Sequence, residues 1–185
     1  MSRATTLAGA VLVGLALLAA GRELHQGLVH WEQLGPLPPG GPTPSFEVLT
    51  MDGGRFGPGD LSGKVSVLTF WATWCGACQS ELSDLDELQH EYTEQPVQFL
   101  AINNDGNART ALEAAYKVQR FSEARGMTLP TALDDGTAAR SFRVGPIPHT
   151  LVVGRDGVVR YVHQGRVMSG TLREEIARLL RDDAG

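Results

Sequence analysis

Apolar positions recur along this chain with two periods, near 2 and near 3.6 residues, and the switches between them lay out its elements. Phe46, Val48 and Leu49, then Asp52-Gly53-Gly54 and Phe56, predict a short strand, a turn and a return. Asp60 to Lys64 is a connector, and Val65 to Trp71 reads as a buried strand. A helical pattern follows from Cys75 to about Tyr92, with Glu81, Leu82, Leu85 and Leu88 on one stripe. Val97 to Asn103 is the next strand. Asn107 to Arg125 has Ala111, Leu112, Ala115, Val118 and Phe121 at helical spacing. Leu129 to Leu133 predicts a short strand and Thr137 to Phe142 a helical turn. His149 to Val153 and Val158 to Val162 are strands joined by Gly154-Arg155-Asp156-Gly157, a hairpin signal. Thr171 to Leu180 closes the chain as an amphipathic helix, with Leu172, Ile176, Leu179 and Leu180 facing inward. Strands alternating with helices imply an α/β sheet that contains parallel strands and is covered on both faces, and the late hairpin makes it mixed.

The first 44 residues differ in kind. Ala4 to Gly21 carries no charge and is rich in Leu, Ala, Val and Gly, close to the ~20 apolar residues a bilayer-spanning helix needs. A cleaved signal peptide is the competing reading, but cuts after Ala19 or Ala20 place Leu17 or Leu18 where a small residue belongs. Residues 1–22 are therefore expected to be a signal-anchor or signal peptide, and either puts the remainder outside the cytoplasm. Residues 23–44 include a run of prolines and glycines from Gly35 to Pro44, expected to be a partly extended linker. The folded domain is expected over 45–182. A hydrophobic share of 42% supports a real core, and a formal charge of −5 argues against nucleic acid or anionic lipid as a partner.

Candidate chemistry sits in Trp74-Cys75-Gly76-Ala77-Cys78, which holds both cysteines of the 185 residues. A strand feeding a helix whose first turn carries C-x-x-C reads as a thiol–disulfide redox site. The free N–H groups and positive dipole end of the helix favour a thiolate, and the thiolate is the nucleophile in disulfide exchange. A purely structural disulfide would close too short a loop to stabilise much. Structural zinc would want a second ligand pair that the chain lacks.

Four stretches carry a family resemblance: Phe46 with Asp52-Gly53; Leu61-Ser62-Gly63-Lys64 running into Phe70-Trp71-Ala72-Thr73-Trp74-Cys75-Gly76-Ala77-Cys78; Phe142-Arg143-Val144 with Ile147-Pro148-His149-Thr150; and Val153 to Val158. Together they resemble the exported, membrane-tethered oxidoreductases of the TlpA/ResA type. The resemblance implies a thioredoxin fold: a central mixed sheet flanked by helices, with an N-terminal β-hairpin extension and a single N-terminal membrane helix. It implies that Cys75 attacks and forms the mixed disulfide, and that Cys78 resolves it. It implies a cis bond before Pro148, which would expose the backbone of Ile147 to pair with an extended substrate. Trp74 would shield the sulfurs, and Trp74, Gly76, Ala77 and Ile147 would meet the substrate. The reaction needs no cofactor and no metal. Its partners would be a protein with a disulfide or thiol and a membrane thiol donor. The direction favoured is that of a reductant, returning exported proteins to their thiol form, as in cytochrome c maturation, on the periplasmic side.

Two departures bear on the site. Thioredoxins place a buried Asp where this chain has Thr69, so the proton of Cys78 needs another acceptor. Asp105, in Asn103-Asn104-Asp105-Gly106, is the candidate, with helix capping as its alternative role. Pro146 stands where many relatives have Gly. His149 would favour the thiolate if it were an imidazolium, the alternative being a solvent-facing strand residue. His25, His30, His90 and His163 show no partner in the sequence. Rival functions are a copper-binding thiol protein using Cys75, Cys78 and His149, a thiol peroxidase, and a non-catalytic binding module.

Overall fold

In a computed structural model of the chain, residues 14, 16–23, 35–106 and 110–182 are described. The chain divides into two units, Met1–Pro36 and Leu37–Gly185. In the first, residues 14 and 16–23 are helical; most of the expected membrane segment lies outside the described residues. Among the described residues no helix is long and apolar enough to cross a membrane.

The second unit is built on one seven-stranded sheet. Its strands are β1 (Val48–Thr50), β2 (Arg55–Phe56), β3 (Val65–Trp71), β4 (Val97–Asn103), β5 (Thr131–Leu133), β6 (His149–Val153) and β7 (Val159–Gln164), in the spatial order β2-β1-β5-β4-β3-β6-β7. β3, β4 and β5 run parallel, while β1, β6 and β7 pair antiparallel with their neighbours. Four helices connect and cover the strands: α1 (Gly76–Glu91), α2 (Ala111–Arg125), α3 (Thr137–Ser141) and α4 (Ser169–Asp182). The α2 expectation began at Asn107; Thr110 caps the observed helix, its Oγ1 accepting the Glu113 N–H at 3.1 Å, and residues 107–109 lie outside the described residues. Gly126 ends α2 at φ +61°, a conformation that side chains with a Cβ adopt only at a cost.

Side-chain alternation along β3 splits the core into two layers. Val65, Val67 and Trp71 point to one face, where Leu82, Leu85 and Leu88 of α1, Val118 and Phe121 of α2, and Leu172, Ile176 and Leu179 of α4 pack. Leu68 and Phe70 point to the other, meeting Phe46, Leu61, Leu100, Ala138, Ala139 and Phe142. There Phe142 sits between two rings, 4.9 Å from Phe46 and 5.4 Å from Phe70 between centroids.

The Pro/Gly-rich stretch read as a linker is bonded to the domain over its second half. Gly40 N–H donates to the Val159 carbonyl at 2.7 Å, Val159 N–H to Gly41 at 2.9 Å, and Thr43 N–H to Gly157 at 2.9 Å. With φ free to be positive at Gly40 (+95°), the chain turns onto the outer side of β7.

Candidate active site

β3 delivers the chain to the site. It ends at Trp71, the chain turns through Ala72-Thr73-Trp74, and Cys75 becomes the N-cap of α1 with extended backbone. Cys75 and Cys78 are joined as a disulfide. Cys75 Sγ accepts the Cys78 N–H at 3.2 Å, so a free helix-end donor already points at the sulfur where a thiolate forms on reduction. The two sulfurs are unequal: Cys75 retains 7% of its surface and Cys78 none.

The Ile147–Pro148 peptide is cis, and the Ile147 carbonyl oxygen lies 3.8 Å from Cys75 Sγ. The disulfide has no S–H, so this is a contact; after reduction the same oxygen is an acceptor within reach of the thiol. Pro148 is buried and Ile147 half-buried. Trp74, 62% exposed, stands beside the exposed Gly76 and Ala77. The residues expected to meet a substrate therefore gather around Cys75.

Asp105 is buried but spent on architecture. Its two carboxylate oxygens accept the Thr73 N–H and the Thr73 hydroxyl, both at 2.7 Å. It neither caps α2, which Thr110 does, nor touches either sulfur among its recorded bonds. It fastens the turn that presents Cys75. Gln79 holds the same turn from the helix side, donating to the Thr73 carbonyl at 3.0 Å, and Arg125 of α2 donates to Gln79 Oε1 at 2.8 Å.

The acid that sits beneath the disulfide is Glu81, which the sequence pattern places only on the apolar stripe. It lies one helical turn beyond Cys78, on the same side of α1, and is 1% exposed. Its Oε1 meets the hydroxyls of Thr150 at 2.5 Å and Thr69 at 3.2 Å; its Oε2 accepts the Val167 N–H at 2.8 Å. Burial pushes the Glu81 carboxyl above its usual range, while hydrogen bonds from Thr150, Val167 and Thr69 and the charge of His163 oppose that rise. Thr69, at the position of the thioredoxin Asp, thus serves the site through Glu81. The spacing C-x-x-C-x-x-E, with a carboxylate in an otherwise apolar stripe, was the signal that could have found it.

His149 corrects its expectation. It is wholly buried, and lies on the opposite sheet face from Thr150, edge-on to Phe70. Its Nδ1 accepts the Gly145 N–H at 3.4 Å, and Nε2 has no partner. Burial holds its proton affinity below the usual histidine value, so the neutral ring is favoured and no imidazolium faces the sulfurs. His90 and His163 do have partners, Thr128 and Glu175. Among the described residues no group of three His, Cys, Asp or Glu side chains could hold a metal.

Known proteins agree with this geometry. The profile of the AhpC/TSA family matches residues 39–162, from the tail along β7 through most of β7 itself. The chain is 31% identical over 142 residues to the thiol-disulfide oxidoreductase ResA of Bacillus anthracis, covering 76% of this chain and 77% of that one. Among solved structures, MTB dsbF superposes with a TM-score of 0.63 at 27% identity, covering 74% of this chain and 96% of its own. The exposed lipoprotein thioredoxin Etrx1 of Streptococcus pneumoniae (strain TIGR4) gives a TM-score of 0.62 at 25% identity, covering 72% and 98%. A reducible sulfur pair at a helix end, a cis-proline against it and these relatives converge: the chain belongs to the AhpC/TSA family, has the thioredoxin fold, and is a protein thiol–disulfide oxidoreductase of the ResA type.

Proposed function

We propose that this protein is an extracytoplasmic reductant of exported protein disulfides, acting through a mixed disulfide at Cys75. The observation that carries the proposal is the asymmetry of the pair. One sulfur caps a helix on a residue that keeps 7% of its surface, beside an exposed Trp74; the other belongs to a residue with none, one turn from a buried carboxyl. In the reduced protein the Cys75 thiolate attacks a substrate disulfide, forming the Cys75–substrate bond and releasing one substrate thiolate. Glu81 then takes the Cys78 proton. The Cys78 thiolate attacks Cys75 Sγ, closing the internal disulfide and releasing the second substrate thiol. Two electrons pass from the protein's dithiol to the substrate. A membrane thiol donor returns the oxidised protein to its dithiol form through the same steps reversed.

The backbone of Ile147, presented by the cis bond, would pair with an extended substrate segment, while Trp74, Gly76 and Ala77 supply the facing surface. Export is supported by the uncharged Ala4 to Gly21 stretch, with anchoring by that segment. The disulfide form of apocytochrome c is the proposed substrate class. The test is trapping: a Cys78→Ala variant in its native membrane should accumulate mixed disulfides with exported CxxC proteins, apocytochrome c among them. Equal capture by Cys75→Ala would refute the assigned nucleophile; capture of other exported thiols alone would refute the cytochrome assignment.

A further inference from the structure

Beyond Glu81 the polar site continues toward solvent through a pair the exchange scheme does not use. In β7, His163 stands directly opposite Thr150 of β6, so both side chains rise from the same sheet face. Thr150 is the residue whose hydroxyl meets Glu81. His163 Nε2 is 3.0 Å from Glu175 Oε2 of α4, with both side chains largely covered. The segment between them supplies the backbone N–H of Val167 to the second Glu81 oxygen. Glu81, Thr150, His163 and Glu175 therefore line up from the buried carboxyl to the rim of α4, on a face otherwise filled by Leu82, Val152, Leu172 and Ile176.

We propose that His163, held by Glu175, is a positioning residue for disulfide exchange: its positive charge favours the carboxylate form of Glu81, the form able to accept the Cys78 proton. The inference rests on the reading of Glu81 as that acceptor. Other charged groups on the packed elements are engaged elsewhere or point away. Asp84 of α1 pairs with Arg166 at 2.7 Å, and Arg173 of α4 pairs with Glu91 of α1. Glu174 and Arg178 of α4 lie toward solvent. Arg160 of β7 is held by Asp156. Among these groups it is His163 whose charge, when present, acts on Glu81, in the same direction as the hydrogen bonds from Thr150, Val167 and Thr69.

The experiment uses the reduced full-length protein and an aromatic disulfide with a chromogenic thiol. Its first leaving thiolate reports attack by Cys75 and its second reports closure by Cys78. The rate of the second phase is followed from mildly acid to mildly alkaline pH. His163→Gln should move the midpoint of that phase to higher pH and slow it about three- to tenfold on the acid side, leaving the first phase in place. His163→Lys, which supplies a positive charge at the same place, should restore the rate at low pH. Glu81→Gln should abolish the limb. A His163→Gln midpoint equal to the wild type, with Glu81→Gln abolishing the limb, overturns the role of His163 alone. A midpoint unmoved by Glu81→Gln overturns the Glu81 reading and this inference together. A His163→Lys variant as slow as His163→Gln shows a packing role and also overturns it.

Discussion

Glu81 and Asp105 are two buried acids near one disulfide, and their hydrogen bonds separate their tasks. Asp105 is held by Thr73 and Asn103 and shapes a turn; Glu81 sits a turn beyond Cys78 in contact with two hydroxyls that can each reverse their hydrogen. Glu81→Gln should lower steady-state reduction of an insulin-type disulfide about 100-fold, the low end for losing a proton acceptor, and flatten its pH profile. Asp105→Ala should keep the profile and instead destabilise the protein by about 1–3 kcal/mol, because the Thr73 N–H and hydroxyl both lose their acceptor; urea midpoints check this. The reactive pair was legible in the sequence, since only C-x-x-C at a strand–helix junction places two thiols one turn apart. The acid was not. Choosing between Asp105 and Glu81 needs to know which lies under α1, and that depends on tertiary contacts with Thr150 and Val167, 69 and 86 residues away.

The elements are more legible than the side-chain roles. β3, β4 and β6 match their expected bounds because an uninterrupted apolar run bounded by turn residues leaves little choice. α1 and α4 follow from stripes that pack on the sheet. The start of α2 was misplaced because Asn107 to Thr110 continues the polar pattern of a helix surface, and only the Thr110 cap marks the boundary. Thr110→Ala should cost about 1 kcal/mol by removing that cap, visible in the denaturation midpoint. Phe142, just past the short α3, reads in the sequence as part of a minor turn. It is wholly buried between Phe46 and Phe70, so Phe142→Ala should cost about 3–5 kcal/mol, measured by urea unfolding of the oxidised protein.

Across the whole molecule, two buried titratable groups tilt stability in opposite directions with pH. The Glu81 carboxyl is raised in the folded state, so its contribution is complete below the ordinary glutamate value of 4.5 and is lost as pH climbs through the folded value. His149 is lowered in the folded state, so its contribution is present above 6.5 and is lost as pH falls through the folded value. In urea titrations across pH, Glu81→Gln should gain on the wild type as pH rises. His149→Gln should gain on it as pH falls below 6.5. Parallel curves for all three proteins would contradict both assignments.

The strap of Gly40 to Thr43 along β7 has a further consequence. β7 is the last strand of the sheet, and an outermost strand with vacant amides invites another chain to dock there. By occupying the groups of Gly157 and Val159, the tail acts as a guard rail against self-association. A protein cut to begin at Ser45 should dimerise or aggregate in sedimentation runs where one beginning at Leu37 stays monomeric.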